Sequence, residues 1–145
     1  MVGKNVNYGS NYGNIGDQYI QVVKSQFNGF LEVGGENNSQ IKSGLKNILM
    51  LELFNKHADN LEREFKKYES DIKNNRYPLK IRVTQLVEDC AQGVYYNDGN
   101  VGNDVCEIVD SVFILACNAM LGSNFYAKRV CVGNHLYYEV YPARS

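Results

Sequence analysis

Two histidines, His57 and His135, and four cysteines, Cys90, Cys106, Cys117 and Cys131, are the side chains of this sequence best suited to act as base, nucleophile or soft metal ligand. Nucleophilic catalysis needs a base within hydrogen-bond reach of its nucleophile, and Cys131 with His135 is the pair closest in sequence. These two residues flank Gly133-Asn134, however. If that dipeptide forms a two-residue hairpin turn, positions 131 and 135 fall on opposite faces and their side chains diverge. His57 lies between Phe54 and Ala58 on an expected helix, a setting for a satisfied or half-exposed histidine rather than a catalytic one. The cysteines are 16, 11 and 14 residues apart with no Cys-x-x-Cys pair, so the spacing fits neither a zinc site nor a small disulfide framework, and reduced, mostly buried thiols are expected.

The acids are equally unspecific. Glu52, Glu62, Glu64 and Glu69 share a charged helix with basic neighbours, and Glu88 and Asp89 are adjacent, so they point apart if helical. The loop over residues 97–104 invites comparison with a calcium loop but fails on spacing. With Asp98 and Asn100 as the first two ligands, Gly102 stands at the third and Val109 where a bidentate Glu belongs. No Gly-x-Gly-x-x-Gly occurs, and Gly9, Gly13 and Gly16 do not sit between a strand and a helix. No catalytic residue, metal ligand or cofactor is therefore assigned, and the expectation is a protein that is not an enzyme.

Composition narrows the partners. A net charge of −1 and a pI near 6.1 speak against nucleic acid as the principal partner, although a local basic patch is compatible with them. Neither an apolar signal segment nor a run of 18 apolar residues occurs, so a soluble, cytoplasmic protein without membrane association is expected. At 145 residues one domain is the default, with about two-thirds of the unfolded surface buried.

The elements that must position any site are led by residues 41–74. Ile41, Leu45, Ile48, Leu51, Phe54, Ala58, Leu61, Phe65, Tyr68 and Ile72 recur at steps of three and four, which predicts one long helix with a stop at Asn74-Asn75. Glu52/Lys56, Glu62/Lys66 and Glu69/Lys73 are favourable i,i+4 pairs on its solvated faces. Its first half is apolar nearly all round and should be enclosed. An uninterrupted helix of about 34 residues would span roughly 51 Å. A compact body of this chain length is near ~38 Å across. The second half is thus expected to project, with Phe65, Tyr68 and Ile72 forming a stripe against a second copy.

Residues 1–16, with the tandem Asn7-Tyr8-Gly9-Ser10 and Asn11-Tyr12-Gly13-Asn14, read as a flexible arm in which Tyr8 and Tyr12 would anchor to a neighbouring subunit on ordering. Residues 17–145 read as the single helical domain. Within it, Ile20, Val23, Phe27 and Phe30 predict a helix ending at Gly34-Gly35, the competing reading being two short strands broken at Asn28-Gly29. Residues 78–92 fit two periods; the favoured reading is a helix with Pro78 at its first position and Gly93 as its stop, and the runner-up is a strand over 79–84 followed by a short helix. The span 105–121, almost wholly apolar after Asp110, predicts a buried helix capped by Asp104 and ended by Gly122. Residues 125–141 alternate around Gly133-Asn134 and predict a β-hairpin with Val132 opposite His135, Val130 opposite Tyr137, Lys128 opposite Glu139 and Tyr126 opposite Tyr141, while Cys131, Leu136, Ala127 and Val140 form the core face.

The sequence thus predicts an α+β fold, mainly α-helical, with about four helices around the long helix 41–74 and the buried helix 105–121, and a C-terminal hairpin. The functional expectation is an assembly or adaptor protein that self-associates as a homo-oligomer or contacts another protein. The alternative is a small-ligand or single-stranded nucleic-acid module using Tyr126, Lys128, Arg129, Tyr137 and Tyr138 of the hairpin, with Arg76 and Lys80 as candidate neighbours.

Overall fold

The computed structural model describes residues 21–33, 44–97, 103–122 and 125–142, and the expected arm with Tyr8 and Tyr12 lies outside these residues. Among the described residues the chain is α+β and mainly helical. Helix α1 covers residues 21–27 and is followed by strand β1 (Gly29–Val33), helices α2 (Gly44–Lys66) and α3 (Glu69–Lys73), strand β2 (Leu79–Arg82), helices α4 (Thr84–Asn97) and α5 (Asn103–Leu121), and strands β3 (Phe125–Val132) and β4 (His135–Pro142). The strands form an antiparallel sheet in the order β1-β3-β4-β2. No helix among them is long and apolar enough to cross a membrane.

The hairpin β3–β4 has the expected register, with Val132 opposite His135 and Tyr126 opposite Tyr141. Gly133 takes a positive φ of 60°, which a II′-type turn needs at its first central residue. Phe125, Ala127, Leu136, Tyr138 and Val140 are buried on the face turned to the helices. The core continues through α5: Phe113 stacks on Tyr138 with ring centroids 3.9 Å apart and on Phe65 of α2 at 6.0 Å. Val105, Ile108, Val109 and Val112 are buried with it, as expected of an almost wholly apolar helix.

Several expectations are corrected. The helix over 41–74 is broken, because at Tyr68 the ladder shortens to a bond from Tyr68 N–H to Phe65 C=O, and α3 restarts from Tyr68 C=O before Asn75 ends it at φ 57°. The Tyr68 hydroxyl donates to Lys80 C=O of β2, a tertiary contact at the break that periodicity does not reveal. At 23 residues α2 is about 35 Å long, within the body rather than beyond it. The projecting stripe does not exist: Phe65 is fully buried, and Tyr68 and Ile72 pack half-buried against the core.

The first half of α2 is not enclosed on all sides, since Leu49 and Leu53 are buried while Ile48 and Leu51 are more than half exposed. The helix expected to reach residue 33 ends at Phe27, and β1 begins at Gly29, where φ is +149°; pairing with β3 overrides the helical spacing of Phe27 and Phe30. The runner-up is what forms at residues 79–92. Leu79 and Ile81 are buried, Lys80 and Arg82 are exposed, and β2 pairs with β4, so α4 starts only at Thr84. Gly93 does not stop α4, which continues to Asn97; a Cβ there would lie 2.8 Å from Leu49 Cδ1, so glycine lets α4 approach α2 closely.

Candidate functional site

Because side chains alternate across a strand, the register of the sheet decides what its outer face presents. Phe30 of β1 stands beside Lys128, Tyr126 opposes Tyr141, Lys128 opposes Glu139, and Lys80 and Arg82 of β2 oppose Glu139 and Tyr137. Three aromatic rings gather at one end of this face. Tyr126 and Tyr141 stack at 5.3 Å with an 8° interplanar angle, and Phe30 leans on both at 6.1 and 6.5 Å. Phe30 is 59% exposed, although a phenylalanine is ordinarily buried. Tyr141 also donates to Glu139 Oε1 at 3.0 Å, which fixes its ring.

The proposed hairpin group divides between the two faces. Tyr126, Lys128 and Tyr137 belong to the outer face, whereas Arg129 and Tyr138 belong to the inner one. Adjacent residues of a strand cannot share a surface, so those five residues do not form one site. Tyr138 is fully buried and its hydroxyl donates to Asp110 Oδ1. Arg129 Nε lies 3.5 Å from the same oxygen, a charge contact without hydrogen-bond geometry, since Nε is buried and has no hydrogen-bond partner. Burial pushes the Asp110 carboxyl up to about 6 in spite of the lowering effects of Arg129 and the Tyr138 hydroxyl.

A second arrangement joins α2 to α4. His57 is buried, and its Nε2 meets Asp89 Oδ2 at 2.7 Å, with Lys56 Nζ at 3.1 Å from the same oxygen. The hydrogen bond from His57, aided by Lys56, holds Asp89 below the usual carboxylate range although burial acts in the opposite sense. Lys56 thus serves Asp89, while Glu62 keeps its expected partner Lys66 at 3.8 Å. His57 lines a cleft of about 450 Å³ between α2 and the β2–α4 junction, whose other charged walls carry Arg63, Glu64, Lys67, Arg82 and Glu88. Asp89 faces a different recess of about 250 Å³ with Lys56, Glu52 and Gly93, so the adjacent acids Glu88 and Asp89 do point apart.

The chain matches no known protein family, no curated protein and no solved structure. Cys131 and His135 take opposite faces: Cys131 Sγ contacts Lys24 C=O at 3.6 Å under the sheet, and His135 is exposed beside the Tyr137 ring. All four cysteines are free, and burial raises the Cys131 thiol above its ordinary value rather than leaving it there; Cys106 is pushed up to about 11 for the same reason. Among the described residues no three His, Cys, Asp or Glu side chains gather as a metal site would require.

Phe30 and Arg82 escaped the sequence reading of the sheet face because their strands pair with partners far along the chain, whereas Lys80 was expected near the hairpin. The alternation at 79–82 carried the signal for Arg82 as well. His57 with Asp89 was missed for a similar reason, since two helices must dock before the pair exists.

Proposed function

We infer that this chain is a non-enzymatic assembly protein that contacts a second copy through the outer face of its sheet. The observation that carries this reading is the exposed Phe30 packed on the stacked Tyr126 and Tyr141 rings. Exposed aromatic groups beside arginine are the side chains over which contact surfaces concentrate binding energy. Lys80, Arg82 and Lys128 share it with Glu139, so both signs are present, as a two-fold self-contact requires.

Strands of 5, 4, 8 and 8 residues give a face of about 400 Å² at ~4.8 Å between strands and ~3.3 Å per residue. Two such faces bury about 800 Å², the size of a weak, transient contact. The test is mass by light scattering on the unmodified chain and on Phe30→Glu/Tyr141→Glu. A dimer at micromolar concentration that becomes a folded monomer in the variant is the expected result; an unmodified chain that stays monomeric contradicts the reading.

One observation favours a second reading, a module for single-stranded nucleic acid: Lys128 lies beside the three rings, so a base could stack while its phosphate meets a cation. Its mark is binding of single-stranded DNA or RNA that weakens steeply with salt and is lost in Lys128→Ala.

A further inference from the structure

We propose that the cleft between α2 and the β2–α4 junction binds a small organic phosphate monoester. Of the sheet-face residues it uses only Arg82, which lines the cleft from the end of the edge strand β2. At about 450 Å³ the cleft falls in the range of roughly 300–1,000 Å³ that encloses small organic ligands rather than bare ions. Its cations converge from separate segments: Arg63 lies on α2, Lys67 directly follows that helix, and Arg82 lies at the end of β2. Guanidinium groups pair bidentately with phosphate oxygens, which favours an oxyanion of that shape.

The acids of the cleft do not cancel this. Glu64 already receives Lys67 Nζ at 2.9 Å, and Arg63 is steadied by the Asn60 side chain. Glu88 also lines the cleft, whose three cations outnumber its two acids. Thr84 adds a hydroxyl that accepts the Leu136 N–H at 2.9 Å and keeps its own proton to donate. Thr84 is also the first residue of α4, a helix of 14 residues, whose leading N–H groups have no partners within the helix and carry the positive end of its dipole. Leu61 and Leu86 supply an apolar wall for the organic part of the ester.

The experiment is titration of the full chain at low salt with glucose 6-phosphate, O-phosphoserine and adenosine 5′-monophosphate, read by calorimetry. Inorganic phosphate, glucose and adenosine are run in parallel. At least one ester should saturate, the matching unphosphorylated compound should not bind, and inorganic phosphate should bind more weakly. Arg82→Ala should weaken the ester about tenfold or more, the effect of losing one charge-assisted hydrogen bond, whereas Lys73→Ala on the exposed side of α3 should leave it unchanged. Three results would each overturn the proposal: no saturable ester, an ester bound no better than its unphosphorylated form or than inorganic phosphate, or an affinity indifferent to Arg82.

Discussion

Asp89 and Asp110 are two carboxylates whose surroundings push them in opposite directions, and each leaves its own mark on stability. Asp89, held low by the His57 hydrogen bond first and Lys56 next, has a folded pKa below its reference value of 3.8. It therefore stabilises the fold above that value, and the contribution disappears as pH falls through the folded pKa. Urea midpoints should fall below about pH 4, and Asp89→Asn should lower the midpoint at neutral pH while flattening that acid limb. An unchanged limb in the variant would show that the pair is not coupled to folding. Asp110 behaves inversely. Burial raises it from 3.8 to about 6, so its contribution is complete below the unfolded value and is lost as pH rises through about 6. Carbon-detected titration should place its midpoint near 6. Tyr138→Phe, by deleting a donor to the charged form, should move that midpoint upward; a downward move would contradict the assignment.

At the scale of elements, the approach of α4 to α2 depends on Gly93. A helix interior ordinarily favours alanine over glycine by about 1 kcal/mol, but here a Cβ would meet Leu49 Cδ1 at 2.8 Å and Cδ2 at 3.1 Å. Overpacking of this kind costs about 1–3 kcal/mol. Gly93→Ala should thus destabilise by about 1 kcal/mol net, and the sign should reverse in a Leu49→Ala background, as a urea double-mutant cycle would reveal. Additive effects would refute the contact. The same distinction between local and distant causes explains what was legible in the sequence. The register of the β3–β4 hairpin was readable because its turn dipeptide and its alternation are both local, although β4 runs one residue further, to Pro142. Helix α5 was readable from its unbroken apolar run. β1 was not, because the spacing of Phe27 and Phe30 imitates a helix and only pairing with β3 makes a strand of it. The break after Lys66 carries no glycine or proline, and its cause is a tyrosine hydroxyl bonded to a distant strand. Of the candidate surfaces, Tyr126 and Lys128 were identified correctly as outward residues of the hairpin, but Phe30, Lys80 and Arg82 join them only through the sheet.

For the whole molecule, burying Phe65 moves the proposed contact from the end of the long helix to the sheet, where Phe30, Tyr126 and Tyr141 stay in reach of a partner. The exposed Ile48 and Leu51 of α2 are the competing apolar surface. The measurement that separates them most directly is the change in backbone amide NMR shifts of the full chain as its concentration rises from micromolar to millimolar. Self-association through the sheet should move the amides of Phe30, Tyr126, Lys128, Glu139 and Tyr141 together along one saturable curve, leaving those of Ile48 and Leu51 in place. Shifts confined to α2, or no concentration dependence at all, would contradict the account.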